Sequence, residues 1–119
     1  MQTESIEKLA AWQRARMLVN AVYDCVSVGA GKRDFGYRDQ ICRASVSAMT
    51  NIAEGYARTS RAEFKRILDI ARASAREVQS LLYIGRDRKY IDDDQFAHIH
   101  QLAGMTATII GKLMRAISS

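Results

Sequence analysis

The chain has 119 residues, a formal net charge of +5, 48% hydrophobic residues and 26% charged ones. Those proportions fit one folded domain with its own core and exclude a disordered segment. No apolar run approaches the roughly 18 residues of a membrane-spanning helix, and the opening "MQTESIEKLAAW" is too acidic and too broken for a signal peptide. Cys25 and Cys42 form no metal or redox motif, so both are expected as small buried or half-buried side chains in a reducing cytoplasm.

Proline is absent, and Gly29, Gly31 and Gly36 gather in "GAGKRDFG", the one flexible loop that the sequence suggests. A first helix is expected from about Glu4 to Val28. At about 100° per residue, Trp12, Ala15, Val19, Val22, Tyr23 and Val26 share one stripe, with Asn20 and Asp24 opposite. A second helix is expected from about Phe35 to Tyr56. Its inner stripe, Ile41, Ala44, Ser45, Ala48 and Ile52, mixes small and large residues and invites close helix approach.

Ser60 and Glu63 form a capping box that opens a third helix. Phe64, Ile67, Leu68, Ala71, Ala75, Val78, Leu81 and Leu82 keep a helical period until a stop between Arg86 and Lys89. Asp92 and Gln95 form a second box, with Ile91 placed to staple onto Phe96. The fourth helix then carries Phe96, Ile99, Leu102, Ala103, Thr106, Ile109, Ile110, Leu113 and Ile117 on its apolar face. Four amphipathic helices with short corners predict an all-α, antiparallel up-down-up-down four-helix bundle in a single domain spanning 1–119. Ala97, Gly104, Ala107 and Gly111 line a second face of the last helix. Tight packing within the bundle and a contact between subunits explain that face equally well.

Residues suited to chemistry are few. His98 and His100 are two apart, point to opposite sides of a helix and cannot share a metal. Asp92, Asp93 and Asp94 suit a helix N-terminus better than a calcium loop. No nucleophile motif or histidine–carboxylate pair is present, so neither a catalytic residue nor a cofactor is expected. Arg58, Arg61, Lys65, Arg72 and Arg76 are a stronger signal. On a continuous helix they fall within about 60° of one another, away from the apolar stripe. Such a row fits either a solvated face or a track for a nucleic-acid backbone. Tyr83 is the single aromatic in register, so phosphate or shape recognition is expected over base reading. Between the second and third helices, Asn51, Ile52, Ala53, Glu54, Gly55 and Tyr56 read as a structural corner, with Glu54 within reach of Arg58.

The segments "AWQRARMLVNAVY", "FGYRDQICRASVSAMTNIAEGYAR" and "SRAEFKRILDIARASAREVQSLL" resemble the 23S rRNA intervening-sequence protein family, from about Leu9 to Ile117. Asn51-Ile52-Ala53-Glu54-Gly55 followed by Tyr56 carries most of that resemblance, supported by Trp12-Gln13 and Gln40-x-x-Arg43-Ala44. Met49 stands where the family usually has proline, which favours a straighter second helix. Cys42-Arg43 stands where paired arginines are common. The resemblance implies a bacterial cytoplasmic bundle without enzymatic activity, assembled as a closed homo-oligomer of five subunits. Some relatives are encoded inside inserts of large-subunit ribosomal RNA genes, and related bundles serve reverse transcriptases as basic accessory factors. The partners so implied are further copies of the chain, RNA or another nucleic acid, or a protein served as a scaffold, with no membrane involved.

Overall fold

The computed structural model describes residues 5–118. Four helices follow one another: α1 (Ala10–Val26), α2 (Phe35–Tyr56), α3 (Arg61–Asp87) and α4 (Asp93–Ser118). Each packs on its neighbours in sequence and α1 closes the bundle against α4. This is the expected all-α, up-down bundle.

The first helix starts later than its periodicity suggests. Glu4, its expected first residue, lies outside the described residues. A single 3₁₀ turn, Ile6–Lys8, comes first, capped by Ser5. Leu9 is then extended (φ −77°, ψ 119°), so α1 begins at Ala10. The buried stripe is also rotated from the expected one. Ala11, Ala15, Leu18, Val22, Cys25 and Val26 face inward, whereas Tyr23 is 45% exposed. The alternating apolar residues of this short helix allow either stripe, and packing against both α2 and α4 selects the one centred on Leu18.

Helix α2 keeps its expected bounds and runs unbroken past Met49. Ile41, Ala44, Ser45, Ala48 and Ile52 are all buried. Its contact with α3 is antiparallel and held at three levels. At one end the Tyr37 hydroxyl donates to the Leu81 carbonyl at 2.9 Å. In the middle Ala48 packs with Ala75 of α3 and Ala107 of α4, while the Ser47 and Ser74 hydroxyls lie 2.8 Å apart. At the other end Phe64, 2% exposed, covers Gly55. Two larger apolar clusters lie on either side of the alanine layer. One contains Leu18, Val22, Ile41, Leu82 and Ile99; the other contains Ala15, Ile52, Leu68 and Ile110.

Both capping sequences act, but differently. Asp92 and Gln95 bond reciprocally: the Asp92 N–H donates to Gln95 Oε1 at 2.8 Å, and the Gln95 N–H to Asp92 Oδ1 at 2.7 Å. Ile91 is buried in the cluster against which Phe96 packs. At α3 the Glu63 N–H donates to Ser60 Oγ at 3.3 Å, while the Glu63 carboxylate binds Arg66. Helix α3 ends in a Schellman turn: the Tyr90 N–H donates to the Gly85 carbonyl and the Lys89 N–H to that of Arg86. Lys89 takes the left-handed position (φ 62°) that glycine usually fills.

Two connections interlock at that end. Asp34 caps α2 by accepting from the Tyr37 N–H at 3.1 Å and accepts from the Tyr90 hydroxyl at 2.6 Å. These bonds, that from Tyr90 foremost, hold its carboxyl below the ordinary aspartate range. A Cβ on Gly31 would come within 2.8 Å of the Tyr90 ring, so only glycine fits beneath it. Burial, the largest cause, pushes the Tyr37 hydroxyl up to about 12.

Two predictions follow from this end of the bundle. A Cβ on Gly85 would lie 2.3 Å from the Tyr37 hydroxyl oxygen, so Gly85→Ala should cost about 1–3 kcal/mol in chemical denaturation. Gly36, whose nearest neighbour is the Asp34 carboxylate at 3.8 Å, should accept alanine without loss. Native Tyr37 holds its proton more tightly than the unfolded chain, and Tyr90 shifts in the same direction. Stability should therefore be intact below pH 10 and fall as pH rises toward about 12. Urea midpoints measured across that range should fall less steeply in Tyr37→Phe.

Candidate nucleic-acid interface

The central motif is built into the α2–α3 contact. Ile52 is fully buried and Tyr56 half-buried, with the Tyr56 and Phe64 rings edge to face at 6.2 Å. Gly55 stays helical instead of turning left-handed. A Cβ there would sit 2.9 Å from Phe64 Cδ1 and 3.4 Å from Ile67 Cβ. Close approach, not turn geometry, is what demands glycine. Asn51 donates to the Ser47 carbonyl at 2.9 Å and to Ser47 Oγ at 3.0 Å, bracing the hydroxyl that meets Ser74. Glu54 pairs with Arg58 at 2.6 Å, both side chains well exposed. Ala53 is half-buried beside them.

The basic row is shorter than expected and lies elsewhere on its helix. Helix α2 stops at Tyr56 and α3 starts at Arg61, so Arg58 sits in the corner and is out of register with the others. Arg61, Lys65, Arg72 and Arg76 do share one face of α3. That face borders the α3–α4 seam instead of lying opposite the core. Arg72 passes over Gly111 of α4, its Nη1 3.5 Å from where a Cβ would be. It also pairs with Asp69 at 2.8 Å. Arg76 donates to Gln79 Oε1 at 2.9 Å, and Gln79 Nε2 donates to the His100 carbonyl at 3.3 Å. None of the ion pairs among the described residues involves Arg61, Lys65 or Arg76. An open groove of about 470 Å³ runs beside the row, lined by Lys65, Arg66, Asp69, Arg72 and Met114.

The row leads into an aromatic cluster assembled from two helices. Tyr83 of α3 lies edge to face with Phe96 of α4 at 4.9 Å and with His100 at 5.6 Å. Phe96 and His100 stack at 5.1 Å. Arg86 holds its guanidinium 4.0 Å from the Phe96 ring centre and 5.2 Å from that of Tyr83. His100 is half-buried here, and His98 is exposed. Tyr83 therefore does not stand alone: α4 brings two further rings to it, a juxtaposition that spacing along α3 could not show.

A model of the 23S rRNA-intervening sequence protein family matches residues 7–112. The chain belongs to that family. The crystal structure of a protein of unknown function from the S23 ribosomal protein family of Bacteroides thetaiotaomicron is similar, with a TM-score of 0.80. The match covers 88% of this chain and 98% of that one at 21% identity, which shows a shared fold. No curated protein matches the chain.

Within this 23S rRNA-intervening sequence protein, the small residues of α4 are largely accounted for by α3. Ala107 is in the alanine layer, a Cβ on Gly104 would meet Gln79 Nε2 at 3.0 Å, and Gly111 lies under Arg72. Ala97 is exposed. Among the described residues no group of three or more His, Cys, Asp or Glu side chains is placed to hold a metal, and no helix is long and apolar enough to cross a membrane. Cys25 is buried and Cys42 half-buried, and burial raises both thiols. Neither is a poised nucleophile.

The motif separates into a packing residue and a surface pair. Gly55→Ala should cost about 1–3 kcal/mol, because Phe64 has no room to move. Glu54→Gln, which removes an exposed pair, should stay within about 1 kcal/mol of the parent. Thermal melts of the two variants check both expectations.

Proposed function

We propose that this family member is a non-catalytic bacterial cytoplasmic protein that binds the backbone of RNA, or of another nucleic acid, through the α3 flank. The supporting observation is the row Arg61, Lys65, Arg72 and Arg76 on one helix face, three of whose cations lack a carboxylate partner. Unneutralised cations along a rigid helix displace counterions from a phosphate chain, and the gain accumulates with each contact. Arg58 extends the surface from the neighbouring corner, although its pairing with Glu54 weakens its share.

The same proposal includes a ring-like homo-oligomer of five subunits, the number implied by the family resemblance. Apolar side chains remain on the outside of the single chain: Met17 at 48% exposure, Tyr23 at 45%, Phe35 at 72%, and Ile70 and Ile84 on α3. They supply contact area for further copies, alongside Ala97 on α4. A ring repeats the basic flank in every subunit, so individually weak phosphate contacts add up to useful avidity. The same exposed side chains also favour a second reading, an oligomeric scaffold or accessory factor that receives a protein, such as a nucleic-acid enzyme, without touching nucleic acid itself. Association with a defined protein that survives nuclease treatment distinguishes that reading.

Binding of structured RNA should weaken with salt. In Arg61→Ala/Lys65→Ala it should weaken for all sequences alike, and the slope of log K against log salt should shrink by about 1.4 to 1.8 for two lost contacts. Fluorescence anisotropy titrations at several salt concentrations measure this; unchanged affinity in the double variant would remove the site assignment. Solution mass measurement tests the five-subunit ring.

A further inference from the structure

We propose that the α3–α4 flank is built for a single strand, with an unpaired base stacking on Tyr83 where the basic row ends. This rests on the backbone-binding reading above and adds to it the class of nucleic acid.

Three observations combine. The first is continuity. Arg72, Arg76, Gln79 and Tyr83 follow one another on one side of α3, and Tyr83 lies about 10 Å beyond Arg76 along the axis. That distance is about three phosphate steps of a stacked strand. Gln79 fixes the junction, accepting from Arg76 and donating to the His100 carbonyl. The second is preorganisation. Tyr83 is 47% exposed, yet Phe96, His100 and Arg86 hold its ring through the contacts described above. An exposed tyrosine on a soluble bundle is ordinarily free to rotate and loses that freedom when a base stacks on it. Here those contacts already restrict it. The third is chemistry. With the Arg86 guanidinium over one face of the Tyr83 ring, the exposed remainder of the ring suits the π-face of any base, and the cation suits its attached phosphate.

The same arrangement discriminates against a duplex. Paired bases are stacked on one another, so a duplex offers phosphates to the row and no free base to Tyr83. Stacking on a ring is indifferent to base identity, and this surface should prefer unpaired regions without reading a sequence.

The test compares three fluorescent probes by anisotropy: a short oligoadenylate, the same backbone with an abasic run, and an RNA duplex. Tyr83 is exposed, so its replacement should leave the fold intact, and a thermal melt checks this. Tyr83→Leu should weaken oligoadenylate binding between about five-fold and a hundred-fold, and Tyr83→Phe should retain it. Affinity for the abasic strand and for the duplex should not change in either variant. If the oligoadenylate and the abasic strand bind the parent equally well, stacking is refuted while phosphate binding stands. If none of the probes binds, both readings fall. A loss of subunits in Tyr83→Leu would overturn the proposal and assign the aromatic cluster to contact between copies.

Discussion

Ala48, Ala75 and Ala107 meet at the middle of the bundle, and three helices approach closely there, with the Ser47–Ser74 hydroxyl contact beside the methyl groups. Interaxial distance in a helix pair is set by the side chains at the contact, so this layer determines how close α2, α3 and α4 come along their whole length. The larger apolar clusters fill the space above and below it. The constraint repeats toward both ends of the α2–α3 contact in reciprocal form. Near one end Gly55 of α2 receives Phe64 of α3; near the other Gly85 of α3 receives Tyr37 of α2. A glycine opposite an aromatic ring at each end fixes register, because sliding either helix would drive a ring into a backbone already in contact.

Close approach on the other side of α3 shapes the candidate interface. Gly104 and Gly111 leave room on α4 for Gln79 and Arg72. A Cβ at Gly104 would crowd the Gln79 amide, whereas one at Gly111 would meet Arg72 at ordinary contact distance, so the row does not stand clear of α4 as a solvated face would. Instead the row is drawn to the seam, where Gln79 ties it to the α4 backbone and α4 contributes Phe96 and His100 beside Tyr83. The electrostatic and aromatic parts of the surface are thus consequences of the packing that holds α3 against α4. A perturbation of that seam would loosen both together.

The two ends of the bundle are secured unequally. At the end carrying the connections after α1 and α3, Asp34, Tyr37, Tyr90, Gly31 and Gly85 form one linked set of hydrogen bonds and close contacts. The aromatic cluster begins two residues before Gly85 on the same helix, so its rings sit on a well-braced part of α3. At the other end the corner between α2 and α3 is short, capped by Ser60 and covered by an exposed ion pair. Arg58 and Arg61 are exposed at this corner.

Much of the fold was legible because local rules act within a few residues. The Asp92–Gln95 box, the period of α3 and the small residues of α2 need no distant partner to be read. Where the sequence misled, competing partners decided. The inward stripe of α1 was chosen jointly by α2 and α4, and its start was delayed by an extended Leu9. The Ser60–Glu63 box closed only on one side because Arg66 took the carboxylate. The family motif was readable as a corner, yet the reason for Gly55 lies in Phe64, nine residues away on another helix. By itself the sequence determined four helices, their order, the caps of α3 and α4 and an unbalanced row of cations on the third. Only the tertiary structure decided that this row borders the α3–α4 seam and ends at Tyr83, Phe96 and His100. The face a helix turns outward depends on both of its neighbours, and rings on separate helices meet only when packing brings them to the same level.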